Sequence, residues 1–292
     1  MIYWITVNYY SSALVGRLID SIPEEFQPDY RVIIVNNSAD DHSIFALKSD
    51  HVVILTSPAN LGFGKACNLG LDWVYRQNSQ AMVWLINPDA YFPEGRNNSD
   101  LIQDFVEFPI AHPEVSILGT VIYTPEGRVE FSGGEFNPKT GYIAPKTNLE
   151  VFPVSKSYIP TSWVSGCSMV IVLKNFQACP QFDPDYFLYY EDFDFCQRYQ
   201  QQGHRITITN GISVFHQTSS ITNTVPGVKI QQSMYSYLLS LEKHTRREVL
   251  LYRLARIIFV SLICLGIHPR TALVKLRGVW QYLSQKRNAK ID

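Results

Sequence analysis

Glu191, Asp192 and Asp194 fall within four positions in Tyr186-Phe-Leu-Tyr-Tyr-Glu-Asp-Phe-Asp194. They stand at the start of an expected helix, behind four aromatics in five residues. A helix N-terminus favours anions, so capping alone would account for them. The aromatic wall would also desolvate one carboxylate, raise its pKa toward that of a general base, and offer a sugar ring a stacking surface. Asn87-Pro-Asp89 follows directly on the apolar run Met82–Ile86. A carboxylate at the C-terminal end of a central strand lies where ligands bind in open α/β sheets. The triplet equally suits an Asx-type turn. His216 closes the short run Ile212–Phe215. With Asp89 it would give an oxygen and a nitrogen ligand to Mn²⁺ or Mg²⁺; alone it would be a core histidine.

Asn60-Leu-Gly-Phe-Gly-Lys-Ala-Cys-Asn-Leu-Gly70 lies between a strand and a helix. Glycines at such a turn let backbone approach a phosphate, and the helix N-terminus favours an anion. Cys67 takes the place of the third glycine of the dinucleotide fingerprint. Ala66 after Gly64-Lys65 excludes a Walker A loop. An ordinary tight turn with a buried cysteine remains open.

The elements that must carry these groups follow from patterning. Ile2–Val7, Val32–Val35, Val52–Leu55 and Met82–Ile86 are continuous apolar runs, as strands covered on both faces require. Helical patterns over Ala13–Ser21, Ser43–Lys48 and Lys65–Arg76 separate them. This alternation predicts a parallel sheet with right-handed crossovers. Residues 119–160 lack helical period and read as a β-excursion or loops over a site. Ser168–Leu173 returns as a strand, and Glu191–Gln202 is a helix ending at Gly203. Arg205–Thr209 and Ile212–Phe215 read as two short strands, and the chain is helical from Val228 onward.

The chain has 292 residues, 46% hydrophobic and 17% charged, which is globular composition. Its five cysteines form no CxxC pair, arguing for a reducing compartment and against structural zinc. Residues 1–239 carry 14 basic against 23 acidic side chains, net −9; residues 240–292 carry 11 against 3, net +8. An acidic body excludes one broad nucleic-acid surface, and the basic tail predicts an anionic partner such as a membrane face. There Arg246, Arg247, Arg253, Arg256, Lys275, Arg277, Lys286, Arg287 and Lys290 interleave with Leu250, Leu251, Leu254, Ile257, Ile258, Leu262 and Leu265. The run Ile257–Ile267 has 11 residues, about half of the ~20 that span a bilayer. The N-terminus reads as a first strand and not as a signal peptide.

In order and spacing these motifs resemble the family 2 glycosyltransferases of GT-A fold, in particular their bacterial rhamnosyltransferase-like branch. The resemblance is carried by Val7-Asn-Tyr9, Val35-Asn-Asn-Ser38, Asn60-Leu-Gly-Phe-Gly64, Leu85-Ile-Asn-Pro-Asp89, Trp163-Val-Ser-Gly-Cys-Ser-Met169, Tyr186 to Arg198, and His216. It implies an α/β fold: a Rossmann-like, mostly parallel sheet flanked by helices, with a helical, basic C-terminal extension. The implied organisation is a catalytic domain over 1–240, divided into a nucleotide-binding half (1–90) and an acceptor half (91–240), then a tail over 241–292.

The implied roles are Asp192 as catalytic base and Asp89 with His216 as ligands of Mn²⁺ or Mg²⁺. Asn8, Asn36, Asn37, Gly62, Gly64, Asn68, Asn87 and Glu191 belong to the substrate and nucleotide site. Trp163, Gly166 and Cys167 lie beneath the donor sugar and acceptor. Asn36-Asn37 departs from the usual Asp-Asn, and Pro180-Gln181 from the usual Gly-Gly. The implied activity is inverting transfer from a nucleotide-diphosphate sugar, leaning to dTDP-rhamnose, onto a lipid-linked glycan of a bacterial surface polysaccharide. A cytoplasmic protein is expected, peripheral at the inner face of the plasma membrane and homodimeric, with no nucleic-acid partner. A non-catalytic scaffold subunit is the alternative; the joint presence of Asp89, Asp192 and His216 speaks against it. A nicotinamide dehydrogenase is disfavoured by Cys67.

Overall fold

The computed structural model describes residues 1–23, 30–93, 107–149, 158–217 and 226–288. Strands β1 (Ile2–Asn8), β2 (Tyr30–Asn36), β3 (Val52–Thr56) and β4 (Met82–Ile86) pair in parallel, with β1 between β4 and β2. Beyond β4 the same sheet continues through β11 (Ser168–Val172), β6 (Val115–Tyr123), β12 (Arg205–His216) and β10 (Tyr158–Pro160). β11 runs antiparallel to both β4 and β6, and β12 runs parallel to β6. Six of these eight strands therefore share one direction, and β10 and β11 reverse it. Short strands β5 (Ala90–Tyr91) and β7 (Val129–Phe131) add to β12 and β6. β8 (Gly134–Asn137) and β9 (Tyr142–Pro145) form a separate hairpin.

Both faces of the sheet are covered. Alternate residues of β1 enter opposite cores: Ile2 and Trp4 one, Tyr3, Ile5 and Val7 the other. α1 (Ser12–Asp20) covers the first with Val15 and Leu18, and Trp4 stacks on Trp84 at 4.4 Å. α2 (Phe63–Gln77) and α3 (Glu191–Gln201) cover the second with Cys67, Leu71, Phe195 and Tyr199. This two-sided burial is why the strands read as unbroken apolar runs. Helices α4 (Pro226–His244), α5 (Arg247–Cys264) and α6 (Pro269–Asn288) build a third cluster around Tyr235, Leu238, Leu241, Leu250, Val279 and Tyr282.

Several boundaries differ from those expected. Ser43–Leu47 is a 3₁₀ turn and not an α-helix, too short to sustain α-helical pairing. The two strands expected at 205–215 are one, β12, because a register shift between Thr209 and Ser213 absorbs Asn210, Gly211 and Ile212 without ending the pairing. β5 straddles the expected division at residue 90, and the sheet runs unbroken across it. The expected boundary at 240/241 falls inside α4. The β-excursion comprises β6 to β10; residues 150–157 of it lie outside the described residues, as do the side chains of Lys286, Arg287 and Lys290.

Candidate active site

Strand direction decides where the chemistry gathers. β1, β2, β4, β6 and β12 all end at one edge of the sheet, and the reversed β11 begins there. Asn8, Asn36, Asn87, Asp89, Gly166, Cys167 and His216 therefore meet on one rim. Beside it, the Asn87 N–H donates to the Cys167 carbonyl at 3.0 Å. Ala90 pairs with His216 across β5 and β12, so the residue before Ala90 comes to lie against the imidazole. Asp89 Oδ1 is 3.2 Å from His216 Nε2, with both residues buried.

The other face of that imidazole holds a residue that no motif signals. Glu130, in the middle of β7, places Oε2 3.0 Å from His216 Nδ1. Burial works against the imidazolium, but Cys167, Asp89 and Glu130 outweigh it and hold the His216 pKa well above the ordinary range. The Cys167 thiol is pushed up by burial and stays protonated.

Asp192 lies on the first turn of α3. Its Oδ2 accepts the Gly166 N–H at 3.0 Å and its Oδ1 the Phe193 N–H at 2.7 Å. Burial raises its pKa against the pull of these bonds. The turn Gly166–Cys167 thus touches both centres, the base candidate through Gly166 and His216 through Cys167. Glu191 is 6% exposed, and its Oε2 has no hydrogen-bond partner. Burial first, then the neighbouring Asp192 charge, pushes its pKa up to about 8. Asp194, the third acid, is fully buried between Arg198 at 2.7 Å and His244 at 2.8 Å. Burial alone would raise its pKa, but these partners outweigh it and hold it low. Asp194 therefore ties α3 to α4 and leaves the proton chemistry to its neighbours.

The Glu191 shift has a stability consequence. The unfolded chain releases this proton near the ordinary glutamate value of 4.5, while the folded chain keeps it until about 8. Wild-type stability then falls as pH rises through that window and levels off above it. Glu191→Gln cannot ionise, so its melting temperature should gain on the wild type between pH 5 and 8. A difference constant over that range would refute the buried, protonated carboxyl.

The segment ahead of α3 is held by a close approach. Gly62 has φ +79°, and a Cβ there would lie 2.0 Å from the Phe187 carbonyl oxygen, which accepts the Phe63 N–H at 3.1 Å. Beside Gly64 the room goes to the Phe182 side chain. Both glycines, expected to make space for a phosphate, make space for protein. Gly62, at φ +79° and ψ 177°, lies in a region that is essentially glycine-only, so Gly62→Ala should cost ~1–3 kcal/mol of backbone strain, with the clash in addition, and lower both melting temperature and activity. Tyr189 and Tyr190 have φ of 68° and 64°, so the two residues before Glu191 are strained and set its entry angle. The Tyr186 hydroxyl meets Ser240 Oγ on α4 at 3.1 Å.

The asparagines are likewise engaged by protein. Asn68 brackets Phe182, donating to its carbonyl at 2.8 Å and accepting its N–H at 2.7 Å. Asn37 bonds Asn60, Gly62 and Leu61, fixing the turn before α2. Asn8 donates to Asn36 and to Asp41, both at 3.0 Å, and Asp41 is a rim carboxylate that the motifs did not reveal. Trp163 packs on Phe131 and Phe193 and reaches the Glu135 carbonyl at 3.4 Å.

Among the described residues no cluster of three or more His, Cys, Asp or Glu side chains has metal-holding geometry. Asp89 and His216 nevertheless fit a cation as two neighbouring ligands. Their 3.2 Å separation is close to the ~3.0 Å edge of an octahedron with ~2.1 Å bonds. Oxygen and imidazole nitrogen suit Mn²⁺ or Mg²⁺, and a bound diphosphate would complete the set.

The chain can be set beside known proteins. It is 22% identical over 266 residues to the N-acetylglucosaminyl-diphospho-decaprenol L-rhamnosyltransferase of Mycobacterium tuberculosis, covering 82% of this chain and 84% of that protein. Its fold is similar to that of the mannosyltransferase PcManGT from Pyrobaculum calidifontis in complex with GDP-Man and Mn²⁺. The TM-score is 0.57 at 13% identity, over 98% of this chain and 87% of that one. It is also similar to GalNAc-T7 with UDP, GalNAc and Mn²⁺, with a TM-score of 0.53 at 13% identity, over 81% of this chain and 47% of that one. These likenesses agree with the GT-A architecture of the sheet. The family model for glycosyl transferase family 2 matches residues 3–164, more than half of the chain, and takes in β1, the turn before α2, and Asn87 to Asp89. The chain belongs to glycosyl transferase family 2.

Proposed function

We propose that this enzyme transfers L-rhamnose from dTDP-rhamnose, with inversion, to a hydroxyl of a lipid-linked glycan in bacterial surface polysaccharide assembly. The observation that carries the chemistry is the Gly166–Cys167 turn, which joins the Asp192 carboxylate to the Asp89–His216 pair on one rim. Support for the sugar and the acceptor comes from the name of the mycobacterial relative, an L-rhamnosyltransferase acting on a diphospho-decaprenol.

The reaction needs one proton acceptor and one stabilised leaving group. Asp192 takes the proton from the acceptor hydroxyl at its free carboxylate lone pairs, while Gly166 and Phe193 hold the group in place. The acceptor oxygen bonds to the anomeric carbon, and the bond to the diphosphate breaks with its electron pair leaving on the nucleotide. A divalent cation held by Asp89 and His216 would supply positive charge to that leaving group. Trp163, half-buried and backed by Phe193, gives the sugar an aromatic surface. A single displacement uses one carboxylate, consistent with the engagement of Asp194 elsewhere. Nucleotide release across dTDP-rhamnose, UDP-galactose, UDP-glucose, UDP-N-acetylglucosamine and GDP-mannose, with a polyprenyl-diphosphate N-acetylglucosamine acceptor, tests the donor. Acceptor-dependent release with dTDP-rhamnose is expected; release only with another donor would overturn the rhamnosyl assignment.

The tail would bring the site to that lipid. Leu250, Leu254, Ile257 and Ile258, expected on a membrane-facing stripe, pack inward on α4. Leu251 and Leu262 of the same set stay exposed, and with Tyr252, Phe259 and Ile263, each more than half exposed, they form the outer face of α5 beside Arg256. No helix among the described residues is long and apolar enough to cross a membrane. An apolar face in a basic segment suits the surface of an anionic bilayer. Full-length protein should sediment with phosphatidylglycerol vesicles at low salt, and Phe259→Glu with Ile263→Glu should lower that affinity tenfold or more. Sedimentation of the double variant equal to wild type would contradict this face.

A further inference from the structure

We propose that Glu130 is a positioning residue that orients His216 toward the cation; this rests on the reading that Asp89 and His216 hold Mn²⁺ or Mg²⁺. An imidazole ligates a metal through one nitrogen, and the other must be satisfied elsewhere. In this structure the two nitrogens have different neighbours: Nε2 faces Asp89 Oδ1 at 3.2 Å, and Nδ1 faces Glu130 Oε2 at 3.0 Å. An ionised carboxylate only accepts hydrogen bonds, so Glu130 fixes the ring proton on Nδ1. Nε2, on the side of Asp89, is then the nitrogen that would exchange its proton for the cation. A carboxylate behind a ligating histidine is a recurrent arrangement, and its loss lowers metal affinity about 10–100-fold.

The fold holds Glu130 for this task. Phe131, the next residue, is buried against Trp163 with ring centroids 5.1 Å apart, and it pairs with Ile122 of β6. β6 in turn pairs with the last residues of β12, Tyr123 opposite Phe215. Glu130 and His216 are thus carried by a connected stretch of sheet although 86 residues separate them. Of the described groups that face the imidazole, Cys167 is a buried thiol and Asp89 is the partner ligand, so among the described residues Glu130 is the orienting anion behind the ring.

The test is a titration of full-length protein with Mn²⁺ alone, read by the electron paramagnetic resonance signal of free Mn²⁺. Glu130→Ala should weaken Mn²⁺ binding about 10–100-fold, while kcat at saturating Mn²⁺ recovers to within a few-fold of wild type. Glu130→Gln, which keeps an oxygen acceptor for the Nδ1 proton, should recover part of the affinity. If circular dichroism shows Glu130→Ala to be unfolded, Glu130→Met keeps the volume without the acceptor and replaces it. Binding in the non-accepting variant within twofold of wild type, with Asp89→Asn losing Mn²⁺, would overturn the role of Glu130 and leave the cation reading standing. Wild-type protein that binds no Mn²⁺ would remove the cation reading and this inference with it.

Discussion

Asp192→Asn is expected to lower turnover by about two to four decades while the donor still binds, the usual loss for a removed general base. Asparagine keeps the shape of the side chain, and its oxygen can still accept the Gly166 N–H that holds Asp192 at 3.0 Å. What it loses is the lone pair basic enough to take a proton. The neighbouring Glu191 cannot substitute: it is buried, and its pKa of about 8 keeps it protonated at neutral pH. Asp194 is also unavailable, locked between Arg198 and His244. Isothermal titration with the donor and a nucleotide-release assay separate the two effects. Unchanged turnover would remove Asp192 from the chemistry.

Removal of divalent cations is expected to abolish transfer, with Mn²⁺ or Mg²⁺ restoring it. A diphosphate leaves with its negative charge unspread unless a cation meets it, and Asp89 and His216 lie 3.2 Å apart as two neighbouring ligands for one. Asp89→Asn should behave as the chelated enzyme does and should not recover at the Mn²⁺ concentration that restores wild type. Activity is read by nucleotide release after dialysis against EDTA. Full activity of the dialysed protein would contradict the cation while leaving the fold and Asp192 untouched.

Much of this site was legible because strand ends are legible. A run such as Met82–Ile86 is apolar at every position because the sheet is covered on both sides, so the first polar residues after it mark the rim. Asn87, Asp89 and His216 were placed in this way, whereas Asn8 and Asn36 came from the family resemblance. Glu130 was not, because β7 has three residues, follows a turn and carries no motif; only its pairing with β6 brings it under His216. Patterning also gave positions without partners. Gly62, Asn37 and Asn68 stand at the expected turn, yet their neighbours are the backbones of Phe187, Leu61 and Phe182. A glycine or amide suited to a ligand is equally suited to a loop, and the sequence does not say which arrives. The same limit applied to α5. Helical spacing showed apolar positions at three- and four-residue steps, but two faces of the helix are apolar, and only packing on α4 shows which one is buried.

The anomeric configuration of the product tests the proposed single displacement most directly. Transfer from dTDP-rhamnose to the lipid-linked acceptor, followed by the anomeric one-bond carbon–proton coupling in the product, reads it without assumption about any residue. Asp192 as sole base, with Asp194 engaged in an ion pair, predicts a configuration opposite to that of the donor. A product that retains the donor configuration would contradict it.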